Sequence, residues 1–204
     1  NINTDTVLEG GNRYLIPGLW DMHTHVWMNN PFFPLLLTNG VTGIRDMHDQ
    51  MIAIDNWRKS IREGSMQGPL IYAAGHIVDG EKPIWPGSVA VKDAVQARRA
   101  VDSLKNILHT DFIKVYSLLT RDAYFAIVYE AKKQQISFAG HVPNHVTVLE
   151  AAQAGQKSQE HLLGFLELAS DSADHYMQVV QKKITDSHLV TLVQRKNFLF
   201  RTYN

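Results

Sequence analysis

The chain has 204 residues, 45% of them hydrophobic and 20% charged, a balance that allows one sizeable buried core and makes a single domain the default. Its 20 basic and 20 acidic residues cancel, and neither sign gathers into a block, which excludes a phosphate-tracking surface and with it nucleic acid as a partner. The absence of cysteine excludes disulfides, thiolate metal ligands and a cysteine nucleophile, so any metal must be held by nitrogen and oxygen.

The opening residues, NINTDTVLEGGN, carry neither a basic start nor an apolar h-region. No signal peptide is read in them, and the compartment stays open. From Tyr14 onward, short apolar runs alternate with helical patterns, the rhythm of βα units around a parallel sheet. The first run, Tyr14 to His25, begins with the Pro17-Gly18 turn and ends in His23-Thr24-His25. Side chains alternate along a strand, so the two histidines face one side about 7 Å apart and are aimed at one point. Asp21 shares that face. The apolar stretch Phe32 to Leu37 is broken by Pro34 and is far shorter than the ~20 residues of a membrane span.

Further strands are expected at Val41 to Met47, Leu70 to Val78, Phe112 to Ser117, Ile136 to Val142, Lys157 to Leu162 and Phe198 to Tyr203. Helical stripes fall between them: Ile54, Trp57 and Ile61; Val91, Ala94, Val95, Val101, Leu104 and Leu108; Tyr124, Ile127, Val128 and Ala131 behind a Thr120 N-cap; and Leu189, Leu192 and Val193. The stretch Asp79 to Ser88, with two prolines and two glycines, reads as a loop after the third strand. It is expected either to cover a pocket at the strand carboxyl ends or to be a long βα connection.

These seven strands fall short of the eight that a (β/α)8 TIM barrel needs in its usual ~250 residues. The expected fold is therefore α/β and TIM-barrel-like but incomplete, over 14–204, with exposed strand edges that mark a fragment of a longer chain.

Candidate ligands gather at the strand ends, where barrel enzymes place their chemistry. His23 and His25 end the first strand, Lys114 lies on the fourth, His141 ends the fifth and His161 the sixth. Lys114, between Ile113 and Val115, would bury a charge at high cost unless something neutralises it; burial also depresses a lysine's pKa and makes it nucleophilic. The other reading lets it snorkel to the barrel rim. Tyr116 shares its parity and would face the same pocket.

The strings PGLWDMHTH, IKVY, AGHVP and QEHL, in this order and together with GVTGIRDM and EAAQAGQKSQEHL, resemble the amidohydrolase superfamily, in its imidazolonepropionase-like and Xaa-Pro dipeptidase-like branch. The likeness runs from about Tyr14 to Leu163, with Trp20 replacing an isoleucine of the signature. It implies that His23 and His25 bind one metal, that His141 and His161 bind a second, and that Lys114, carboxylated by CO2, bridges them. The metals are usually zinc in this branch. It further implies a metal-activated hydroxide that attacks a C–N bond in a cyclic amide, amidine or peptide-like small molecule.

The family takes its last ligand and catalytic base from an aspartate after the eighth strand, which this sequence lacks. Asp171, Asp174 and Asp186 lie in an expected helical region and are poor substitutes. The chain is thus expected to be inactive or weakly active by itself. Residues 1–13 would be a linker or the remnant of the family's N-terminal β-sandwich, of which only Thr6 to Gly10 is strand-like.

Asp21 and Asp46 are positioned either to accept a hydrogen bond from a ligand imidazole or to anchor a barrel loop. His48 and His76 follow the second and third strands and could line the substrate pocket. His145 lies four residues after His141, but Pro143 argues against a helix there, and His109, His175 and His188 read as solvated. No phosphate-binding glycine loop or serine nucleophile elbow occurs. Two alternatives stand beside the amidohydrolase reading: a catalytically silent barrel used for binding or assembly, and a lactone or phosphoester hydrolase on the same site. Homo-oligomerisation is an open option.

Overall fold

Alternation of apolar strands and amphipathic helices produces a parallel α/β array in the computed structural model, which describes residue 6, residues 9–26 and 29–165, and positions 169, 175 and 178. In chain order the elements are β1 (Leu19–Thr24), α1 (Asn29–Thr38), β2 (Val41–Asp46), α2 (Met51–Arg62), β3 (Leu70–Ala73), β4 (Ile77–Asp79), β5 (Val89–Ala90), α3 (Ala94–Asn106), β6 (Phe112–Val115), α4 (Arg121–Lys133), β7 (Ser137–Gly140) and α5 (Val148–Gln153), followed by a 3-10 turn at Glu160–Leu162. Among the described residues no helix is long and apolar enough to cross a membrane.

All strand pairs are parallel, in two sheets ordered β1-β2-β3 and β5-β4-β6-β7. The single strand expected over Leu70 to Val78 is broken into β3 and β4. Gly75 causes the break: it sits at φ +65°, where a Cβ would lie 2.8 Å from both Met51 Cγ and Thr110 Cγ2. Only glycine takes that conformation without strain. The two sheets still meet at the break, because the N–H of Asp111, just before β6, donates to the carbonyl of Ala73 at the end of β3 (2.9 Å). They form one curved wall, part of a barrel.

Two further expectations are corrected, and one stretch without an assigned element proves helical. β1 begins at Leu19, and residues 14–18 are not strand; Tyr14 and Leu15 are exposed. The run Lys157 to Leu162 makes only one bridge, Gly140 with Gln159, before the 3-10 turn. There His161 and Leu162 take positive φ, which no strand tolerates. Phe32 to Leu37 lies inside α1 in spite of Pro34. The expected strand Phe198 to Tyr203 and the helical stripe at Leu189 to Val193 lie outside the described residues.

The main core lies between the second sheet and the α3/α4 pair. Ala97, Val101 and Leu104 from α3 meet Ala123, Tyr124 and Ile127 from α4 over Val78, Ile113 and Val115. Each helix starts where a side chain satisfies its orphan N–H groups: Asp93 accepts from the Gln96 N–H (2.8 Å) and Thr120 from the Ala123 N–H (3.2 Å). Thr147 and Glu150 form a reciprocal capping box on α5. With these starts pinned, the helices cover one face of the sheet and leave the strand carboxyl ends open.

Candidate metal centre

The carboxyl ends of the strands bring together residues far apart in sequence. His23 lies in β1 and His25 just beyond it, His141 follows β7, and His161 sits in the 3-10 turn. The His23 ring centroid is 5.3 Å from that of His25 and 4.7 Å from that of His161, and the His141 and His161 rings are 5.0 Å apart. Four imidazoles from three segments thus form one connected group. The left-handed φ of 62° at His161 is the local backbone feature associated with this placement.

Lys114 lies in β6, paired in register with Ala139 of β7 and Ile77 of β4, and is 1% exposed. The rim-snorkelling reading fails on that burial. Desolvation pulls its ammonium down to about 8, with the nearby charge of Arg45 acting the same way and Glu160 and Asp46 opposing. The backbone allows the neighbouring approach only because residue 140 is glycine: at φ +131° a Cβ there would lie 2.2 Å from the Val115 carbonyl oxygen and 3.2 Å from Lys114 Cδ. Gly140→Ala is expected to cost roughly 1–3 kcal/mol of stability from backbone strain alone. Urea unfolding measures it, and an unchanged midpoint would contradict this account of the strand end.

Two of the histidines, His25 and His161, are pushed toward the neutral form. Burial, then the charges of Lys114 and His23, push His25 down to about 4, and burial likewise lowers His161. A neutral imidazole offers a lone pair and is the form that takes a divalent cation. The donors therefore fit such an ion in kind. Among the described residues, however, no set of three or more His, Asp or Glu side chains closes around a single point.

One charged residue that the sequence reading passed over ties this group together. Glu160 is 9% exposed; its Oε2 lies 2.6 Å from His23 Nδ1, and its Oε1 accepts from Arg45 Nη2 (2.7 Å) and from the Ser158 hydroxyl. Burial acts to raise its pKa, but the hydrogen bonds from His23 and Ser158 and the Arg45 charge outweigh it and hold the carboxyl at about 2. Arg45 also donates from Nε to the Met22 carbonyl (2.7 Å) and from Nη1 to Ser158 Oγ (2.9 Å). The signal was present as a buried-length glutamate inside SQEHLL and an arginine inside the apolar β2 run. Ser117, whose hydroxyl lies 2.8 Å from His141 Nδ1, carried no signal.

Asp21 and Asp46 serve backbone groups, which is the loop-anchoring alternative. Asp21 Oδ1 accepts the His23 N–H (3.0 Å). Asp46 is fully buried and accepts the Val26 N–H (2.9 Å) and the His48 N–H (3.1 Å); burial raises it to about 6.

Tyr116 stacks on His141 with centroids 3.8 Å apart, and its hydroxyl accepts from the Trp85 indole N–H (2.7 Å). The loop expected to cover the pocket does reach the edge of the group through Trp85. Asp79 fastens its base by accepting the N–H groups of Ile84 (3.1 Å) and Leu118 (2.7 Å). His48 accepts the Ile77 N–H (3.3 Å), and its other ring nitrogen lies 3.2 Å from the Pro86 carbonyl. His76 stands beside it, ring centroids 6.3 Å apart. His109 is exposed at positive φ, His175 is exposed, and His188 lies outside the described residues.

Parallel strands that carry imidazoles and a buried lysine at their carboxyl ends form part of a TIM-type barrel wall, and its solved structural neighbours include members of the amidohydrolase superfamily. Bottromycin amidohydrolase matches with TM-score 0.65 and 27% identity over 78% of this chain and 36% of its own. A Xaa-Pro dipeptidase with methionine bound in its active site matches with TM-score 0.57 and 21% identity, over 81% of this chain and 52% of its own. A. niger ochratoxinase matches with TM-score 0.56 and 21% identity, over 81% and 51%. The chain thus spans about a third to a half of these proteins' lengths. No protein-family model and no curated protein matches it.

Proposed function

We propose that the whole protein is a metal-dependent hydrolase that cleaves a C–N bond in a cyclic amide, amidine or peptide-like small molecule. The observation that carries this reading is the chain of four imidazoles, His25, His23, His161 and His141, with successive ring centroids 4.7 to 5.3 Å apart, collected at the strand carboxyl ends of an amidohydrolase-type wall beside buried Lys114. The 27% identity to an amidohydrolase supports it.

In this reading His23 and His25 hold one divalent cation and His141 and His161 a second, zinc by family resemblance. Lys114, once carboxylated, would be a further residue to hold them. Carboxylation needs the neutral amine: its lone pair attacks CO2, a C–N bond forms and a proton leaves, and burial provides a neutral fraction near neutral pH. Divalent cations in this place supply Lewis acidity and ease the deprotonation of water. The protein's own part is to keep His25 and His161 neutral, to bury Lys114, and to frame the mouth with Tyr116 and Trp85.

Elemental analysis of the full-length protein, wild type against His23→Ala, tests the assignment. Stoichiometric zinc or another divalent metal is expected in the wild type, falling to a small fraction in the variant. Near-zero content in both would sink the hydrolase reading.

A further inference from the structure

We infer that Glu160 is the positioning residue of this site: it takes the Nδ1–H of His23, fixes the ring as the Nδ1–H tautomer, and leaves Nε2 as its lone-pair donor. The inference deepens the metal-centre reading and rests on it for the identity of what Nε2 would bind.

The argument starts from donor and acceptor counts. An ionised carboxylate only accepts, so a 2.6 Å contact between Glu160 Oε2 and His23 Nδ1 requires the proton on that nitrogen. Glu160 is ionised because its other oxygen faces Arg45, a guanidinium that is always charged, at 2.7 Å. An ion pair serving stability alone would need only that second oxygen. The same guanidinium donates to the Met22 carbonyl, the peptide group entering His23, while Asp21 accepts the His23 backbone N–H. His23 is therefore held at the preceding carbonyl, at its own amide and at one ring nitrogen. The remaining nitrogen belongs to a ring packed 4.7 Å from His161 and 5.3 Å from His25. Carboxylates behind ligand imidazoles commonly set tautomer and basicity in this way.

The test uses the 15N-labelled full chain without metal at pH 8. Long-range 1H–15N correlation of the imidazoles, with His23 assigned by its loss in His23→Asn, is expected to show a protonated Nδ1 and a bare Nε2. Glu160→Gln should shift His23 toward the Nε2–H tautomer and weaken zinc binding, measured by competition with a chromophoric chelator, by about 10–100-fold. Ser158→Ala, which leaves the contact with His23 in place, should keep the wild-type tautomer. An Nε2–H tautomer in the wild type overturns the inference, and that spectrum decides the matter if the glutamine variant does not fold. Zinc bound equally by wild type and Glu160→Gln, with the tautomer unchanged, also overturns it while leaving the metal reading intact. A tautomer lost in Glu160→Gln, with zinc bound by neither protein, supports the positioning role and removes the metal reading.

Discussion

Glu160→Ala is expected to lower the unfolding free energy by about 3–5 kcal/mol, because it leaves the Arg45 guanidinium buried without its counter-charge. Both side chains of this pair are only 9% exposed, so solvent cannot take over the missing carboxylate. The pair also joins β1 and β2 to the segment after β7, through Met22, Arg45 and Ser158, so its loss loosens the site as a unit. The pH dependence follows from the carboxyl group, which is held at about 2 when folded against an ordinary value of 4.5. A depressed carboxylate contributes stability above its unfolded pKa and loses it as pH falls through the folded one. The gap between wild type and variant should therefore be full at pH 7 and close between about pH 5 and 2. Guanidinium unfolding at several pH values measures this. A gap under about 1 kcal/mol at neutral pH would mean that water reaches Arg45.

Lys114→Met should act in the opposite direction and stabilise the metal-free chain. A buried ammonium whose pKa falls from 10.5 to about 8 costs on the order of 3 kcal/mol at neutral pH, and methionine matches its volume without the charge. The sign of the pH effect is set by protons bound. Between about pH 8 and 10.5 the unfolded lysine still holds its proton while the folded one has released it, so wild-type stability rises with pH across that window. In the methionine variant this slope should vanish and stability at pH 7 should exceed wild type. Thermal and chemical unfolding of the two metal-free proteins at pH 7 and 10 decide the point. A less stable variant would show that Lys114 is already well compensated by Glu160 and Asp46. A gain in stability coupled to loss of metal binding is what a residue kept for chemistry predicts.

Much of the barrel wall was legible because local chemistry and tertiary structure agree there. β2 and β6 are apolar runs bounded by turns, Thr120 and the stripe Tyr124, Ile127 and Ala131 announce α4, and His23, His25 and His141 stand at or just past strand ends. The misses fall where one residue's backbone overrides the pattern. Gly75 splits an apolar run into two strands, and His161 and Leu162 at positive φ end another after a single bridge. α1 was missed because Pro34 reads as a breaker; the helix carries it nonetheless. Asp21 and Asp46 had two readings, since a carboxylate near a strand end can face a ring or a backbone amide with equal ease.

The sequence by itself determined which groups are available: four histidines and a lysine in or just after apolar runs, no thiol, and a charge balance without a nucleic-acid face. Period and turn chemistry are local properties, so they survive in one dimension. Only the tertiary structure decided that His23, His161 and His141 share one group, that Lys114 is sealed from water, and that Glu160 holds His23 and Arg45 together. Those contacts join β1 and β2 to the turn after β7, more than 100 residues along the chain. They depend on side-chain direction and burial, which no local pattern of residues encodes.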